Sequence, residues 1–145
     1  MTHMERALAL ARRALGSASP NPAVGAVVVK DGEVVGEGWT QPPGQAHAEP
    51  VALSQAGARS DGATLFVTLE PCSHFGRTAP CTQAIIDAGI AEVRVSTLDP
   101  NPLVNGASIS RLREAGIRTH VGECEEHARH LIEAYLKFVE TGLPF

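Results

Sequence analysis

Residues 23–39 read AVGAVVVKDGEVVGEGW, two β-branched runs joined by Asp31-Gly32. An Asp-Gly pair between apolar runs suits the two positive-φ positions of a two-residue turn, so this stretch predicts an antiparallel hairpin. The chain beyond Trp39 restricts how the hairpin is completed. A helix over 47–57, closed by Gly57, leads into a short buried strand over 63–69. A second glycine-capped helix, 81–89, leads into a strand over 92–97, and a third, 108–116, into a strand over 117–122. Apolar positions at helical spacing over 4–15, stopped at Gly16, precede the hairpin, and an amphipathic helix over about 124–141 closes the chain after the last strand. Crossover helices join strands in parallel, whereas the hairpin is antiparallel. The expected fold is one domain over 1–145, a three-layer α/β/α arrangement with a mixed five-stranded sheet covered on both faces.

At 145 residues the chain is long enough to bury one real core. Its net charge of −4, with both signs interspersed, leaves no footprint for a nucleic-acid surface, although one or two cations suffice for a small anionic substrate. No stretch approaches the roughly 18 apolar residues of a membrane helix. The first 16 residues are amphipathic and charged throughout, unlike the apolar core of a signal peptide. The expected location is therefore the cytoplasm, without nucleic-acid or membrane partners. Three cysteines in a reducing compartment disfavour a disulfide, and Cys124, alone near a helix start, reads as a bystander.

Residues 68–81, TLEPCSHFGRTAPC, hold Cys72 and Cys81 with eight residues between them, a histidine and an arginine among these. That spacing is wide for a zinc hook and leaves a metal site, a disulfide loop or an accident of composition as readings. Position in the fold narrows the choice. His47 and Glu49 open the helix after the hairpin, Cys72 comes after a buried strand, and Cys81 begins the next helix. In α/β sheets these element ends meet along one edge, where ligands collect. One imidazole and two thiolates give a zinc ion three protein ligands and leave a fourth position open, the arrangement of catalytic rather than structural zinc. Helix N-termini favour the thiolate form. Glu49, two residues from His47, is placed to move protons, and H-x-E followed by P-C and a second cysteine is the signature of zinc deaminases acting on nucleobases. Pro50 biases Glu49 away from helical conformation and predicts it at the helix margin. His127 and His130, three apart on the last helix, could share a face but read as a solvated one, and His3 and His120 have no partner pattern.

SPNPAVGAVVVKDGEVVGEG, HAEPVAL, TLEPCSHFGRTAPC and DPNP together resemble the pyrimidine deaminase domain of riboflavin biosynthesis, within the cytidine deaminase-like fold. The resemblance covers essentially the whole chain, and its most specific element is the long spacer between the cysteines. It implies hydrolytic deamination of 2,5-diamino-6-ribosylamino-4(3H)-pyrimidinone 5′-phosphate to 5-amino-6-ribosylaminouracil 5′-phosphate, with release of ammonia. It implies Zn2+ on His47, Cys72 and Cys81, proton transfer by Glu49, and substrate contacts from Asn21, His74, Arg77, Asp99 and Asn101. A ribose phosphate needs a cation and donors, which Arg77 and His74 supply. Asn21 and Asn101 sit in proline-stiffened turns, where turn chemistry alone also favours asparagine.

Three departures from the family pattern bear on substrate choice: Thr40 where a histidine is usual, Val51 where histidine or asparagine is common, and NGAS over 105–108 where a Gly-basic-Gly element is usual. The resemblance also implies a homo-oligomer, and a reductase either fused beyond the TGLPF segment at 141–145 or supplied separately; no dinucleotide-binding unit is visible. Two other readings compete with the pathway deaminase. One is a zinc deaminase for guanine, cytosine or a tRNA adenosine, the last disfavoured by the acidic surface and long spacer. The other is a catalytically silent, zinc-stabilised interaction domain, which has no use for Glu49.

Overall fold

The computed structural model describes residues 1–18, 21–72, 80–100 and 105–133. The chain opens on helix α1 (His3–Arg13), started by a reciprocal cap in which Glu5 N–H donates to the Thr2 hydroxyl and Thr2 N–H donates to the Glu5 carboxylate. Strands β1 (Gly25–Lys30) and β2 (Glu33–Trp39) form the expected hairpin. Asp31 and Gly32, at φ 52° and 81°, make its turn, both in the left-handed region that Asp tolerates and Gly enters freely. Then come α2 (Ala48–Ala56), a 3-10 turn over Gly57–Ser60, β3 (Thr64–Leu69), α3 (Cys81–Asp87), β4 (Glu92–Thr97), α4 (Ala107–Glu114), β5 (Arg118–Val121) and α5 (Glu125–Leu131). The expected helix over 124–141 is seen as α5, with Cys124 as its N-cap and Ile132 as its C-cap, and the part of that span beyond 133 lies outside the described residues.

The sheet is mixed and five-stranded, in the order β2-β1-β3-β4-β5. β3 does not sit beside β2. It crosses over β1 and pairs with it antiparallel, while β3, β4 and β5 run parallel. The reason is burial. β1 is buried from Gly25 to Val29 and needs cover on both faces and both edges, whereas β2 and β5 are half exposed and serve as the outer strands.

Alternate residues of the inner strands build two cores. Ala26, Val28, Leu65, Val67, Val93 and Val95 face α2, α3 and α4, meeting Ala52, Leu53, Ile85 and Leu112. Val27, Val29 and Phe66 face α1, meeting Met4, Ala7 and Leu10, and α5 packs beside α1 against β4. The result is three layers, helices on both faces of one sheet.

One contact sets the position of the site. A Cβ added to Gly38 of β2 would lie 2.5 Å from the Ala48 carbonyl oxygen and 2.8 Å from Ala52 N. The first turn of α2 therefore rests directly on strand backbone, and no side chain fits between them.

Candidate metal centre and active-site cavity

His47 is the N-cap of α2, in extended conformation at φ −74° and ψ 172°. Glu49 is the second residue of the helix and Pro50 the third. Glu49 thus lies at the N-terminal margin of the helix, as expected, and Pro50 is accommodated because first-turn N–H groups have no intrahelical partner and a proline there breaks no bond. Cys72 stands three residues past the end of β3, and Cys81 is the first residue of α3. The Cys72 sulfur accepts the Cys81 N–H at 3.1 Å, and the Cys72 carbonyl accepts the Thr82 N–H at 3.1 Å. Two orphan donors of the α3 N-terminus are thereby spent on Cys72, and the helix end favours negative charge on its sulfur.

His47 Nδ1, Cys72 Sγ and Cys81 Sγ all lie within 4.8 Å of one another. Nδ1 is 3.3 Å from the Cys81 sulfur and 3.8 Å from the Cys72 sulfur. Tetrahedral zinc with bonds of about 2.0–2.3 Å spaces its ligands roughly 3.3–3.8 Å apart. The two imidazole–sulfur separations match that edge length. The protonation of the donor set fits a cation as well. The Cys72 thiol is pushed down to about 4, chiefly by a hydrogen bond from the Cys81 thiol and also by His47. The same shared proton and burial push the Cys81 thiol up. The Cys72 sulfur beside it likewise raises the His47 imidazole. Two sulfurs thus hold one proton between them, and a bound cation replaces that proton. None of the three cysteines is in a disulfide.

Glu49 is 4% exposed, and burial raises its carboxyl to about 7. It lines a cavity of about 300 Å3 whose walls include His47, Cys72, Asn21, Asp99 and Thr40. Two of the expected substrate contacts, Asn21 and Asp99, therefore reach the same cavity as the metal donors and the buried acid. His74, Arg77 and Asn101 lie outside the described residues. Thr40, at the position of a family departure, is buried and spent on backbone: its hydroxyl accepts the Val24 N–H at 3.0 Å and donates to the Pro22 carbonyl at 3.2 Å. It secures the segment that carries Asn21. Val51 is half-buried on α2 and is not among the residues lining the cavity.

Sequence reasoning does not single out Glu70, which also lines the cavity. It is 6% exposed and accepts from the N–H groups of Asp99, Gly106 and Ser108 and from the Ser108 hydroxyl. The available signal is a carboxylate directly after five buried strand positions, where a charge must find donors. Elsewhere, His120 pairs with Glu92 at 2.9 Å and His3 stacks at an angle on Phe66, in keeping with surface roles. Among the described residues no helix is long and apolar enough to cross a membrane.

The family model for the cytidine and deoxycytidylate deaminase zinc-binding region matches residues 1–97. Riboflavin biosynthesis protein RibD of Aquifex aeolicus is 54% identical over 143 residues, covering 99% of this chain and 40% of the relative. The diaminohydroxyphosphoribosylamino-pyrimidine deaminase of Buchnera aphidicola (subsp. Schizaphis graminum) is 44% identical over 142 residues, covering 98% of this chain and 97% of that protein. Among solved structures, the deaminase/reductase of Thermotoga maritima superposes with a TM-score of 0.92 at 45% identity, over 98% of this chain and 41% of that one. The chain thus spans about two fifths of the longer relatives and nearly all of the shorter one. A zinc-binding match that takes in His47, Glu49, Cys72 and Cys81, with one pyrimidine deaminase aligned over nearly its whole length, makes this chain a member of the cytidine and deoxycytidylate deaminase family, on its riboflavin-biosynthesis pyrimidine deaminase branch.

Proposed function

We propose that this chain, acting as one zinc-dependent unit, deaminates 2,5-diamino-6-ribosylamino-4(3H)-pyrimidinone 5′-phosphate by hydrolysis. The observation that carries the reading is a cluster of three zinc-type donors, two of which, His47 and Cys72, line with the buried Glu49 a cavity large enough for a pyrimidine. His47, Cys72 and Cys81 would hold the zinc, which when bound lowers the pKa of water to about 7 and makes hydroxide available at neutral pH. In the reaction a water oxygen replaces the ring amine and ammonia leaves. Glu49 takes the proton released by the water and returns protons to the ring nitrogen and the departing amine. Burial favours the protonated form of its carboxyl, which suits a group that must both take up and return protons.

Asn21 and Asp99 in the cavity wall, together with Asn101, bind the heterocycle and sugar on this reading, and His74 and Arg77 meet the phosphate. The product passes to a reductase, as the two-activity name of the Thermotoga maritima protein suggests. The setting is the cytoplasm, and the chain works as a homo-oligomer. The test is ammonia release from a panel comprising the ribosylaminopyrimidine phosphate, its dephosphorylated form, cytidine, dCMP and guanine. Strong preference for the phosphorylated pyrimidine supports the proposal. Preference for another base moves the chain to a different substrate, and silence across the panel with zinc bound favours an interaction domain.

A further inference from the structure

We infer that Glu70 is a positioning residue that ties the wall of the cavity at Asp99 to the turn entering α4. The inference rests on the proposed deaminase function. An ionised carboxylate offers about four lone-pair sites. Here four described donors occupy them: Asp99 N–H at 3.1 Å and Gly106 N–H at 3.0 Å on Oε1, and Ser108 N–H at 3.1 Å and Ser108 hydroxyl at 2.7 Å on Oε2. Glu70 lines the cavity, yet its acceptors are turned to the protein and none is left for a ligand.

The arrangement does two things at once. Gly106 is the N-cap of α4 and has no side chain to cap it, so Glu70 supplies the missing acceptor from the end of β3. The same oxygen that holds Gly106 holds Asp99, which faces the cavity. Asn105 closes the connection from the other side, its Nδ2 donating to the Asp99 carbonyl at 2.8 Å. Glu70 N–H donates in turn to the Thr97 carbonyl at 2.9 Å, so its own backbone is fixed to the end of β4. A helix cap alone would not engage Asp99. The chain thus couples the start of α4 to one substrate-facing residue through a single buried charge, within two residues of Cys72 but outside the metal donors.

Glu70→Gln keeps the shape but leaves one oxygen position to an NH2 donor facing a backbone N–H and removes the charge from both, so the bonds that hold Asp99, Gly106 and Ser108 weaken. On the proposed function Asp99 contacts the bound substrate away from the reacting atoms, so the expected change is in KM. We expect KM to rise about tenfold with kcat within about threefold of wild type, the loss expected for a charge-assisted hydrogen bond. Zinc content should stay at the wild-type level. Hydrogen exchange at the amides of Asp99, Gly106 and Ser108 should quicken, while that of β1 should not. Ser108→Ala, which removes one donor and leaves the carboxylate, should raise KM about threefold and speed exchange at Asp99. If Glu70→Gln does not fold, Ser108→Ala decides alone. Wild-type KM and unaltered exchange in whichever variants fold overturn the inference. So does a fall in kcat at constant KM, which would put Glu70 in the chemistry. Absence of ammonia release by the wild-type protein refutes the deaminase reading instead, and hydrogen exchange, which needs no turnover, still decides the role of Glu70.

Discussion

Replacing Glu49 by glutamine changes one atom type in a side chain that is 4% exposed, and it should separate metal binding from turnover. The three metal donors belong to His47, Cys72 and Cys81, so the variant should bind zinc at the wild-type stoichiometry. Proton transfer by a positioned carboxyl contributes about 100- to 10,000-fold to rate, or roughly 3–5 kcal/mol of barrier. Loss of kcat in that range is the expected result, measured as ammonia release at pH 7 with zinc quantified in the same sample. The structure supplies a second readout that needs no substrate. In the metal-free protein the native carboxyl holds its proton up to about pH 7, whereas in the unfolded chain it releases it near 4.5. Between those values the native state binds the extra proton at Glu49, so this group's contribution to stability falls as pH rises, while the depressed Cys72 thiol contributes in the opposite sense and is common to wild type and variant. The contribution is complete below 4.5 and gone above about 7, a swing of roughly 3 kcal/mol. Urea titrations of metal-free protein at pH 4.5 and 7.5 should show that component in wild type and lack it in Glu49→Gln. A variant that keeps more than about a tenth of wild-type kcat refutes the acid–base role of Glu49.

The same geometry sets three further outcomes. Cys81→Ser and His47→Ala each remove a donor from a set of three and should weaken zinc by more than about 100-fold, read by competition with a chromophoric chelator; unchanged affinity would remove that residue from the metal site. Because the two sulfurs share one proton, zinc binding at pH 7 should release at least one proton per chain, measured by calorimetry in buffers of different ionisation enthalpy; zero release would contradict the paired thiol and thiolate. Gly38→Ala places a methyl 2.5 Å from the Ala48 carbonyl and should cost about 2–3 kcal/mol, seen as a Tm lowered by about 5–10 °C, with kcat falling because His47 and Glu49 flank Ala48; a Tm within about 1 °C of wild type would show that α2 yields freely.

Much of this architecture is legible in the sequence. The hairpin at Asp31-Gly32 and the three helix–strand rounds announce themselves because periodicity and turn chemistry are local properties of the chain. The order of strands is not local. Periodicity alone does not tell whether β3 joins β2 or crosses to β1; the near-continuous apolar run of β1, which demands a central place, is the usable clue. Zinc donors are legible for a similar reason, since His47, Cys72 and Cys81 are distinctive residue types at element ends. Glu70 is not. Its partners at Gly106 and Ser108 lie 36 and 38 residues away, and an acidic residue after a strand has no signature until the turn that meets it is in view. Thr40 is the same kind of case: as a sequence feature it is a departure from a family pattern, and in the fold its hydroxyl is committed to the backbone at Pro22 and Val24.

The central claim is that one zinc on His47, Cys72 and Cys81 makes this cavity a deaminase. Titrating zinc into metal-free protein while following ammonia release from the ribosylaminopyrimidine phosphate tests it most directly. The expected result is no turnover without metal, a linear rise with added zinc, and a break at one zinc per chain. Turnover in rigorously metal-free protein, or full zinc occupancy with no ammonia released, would contradict it.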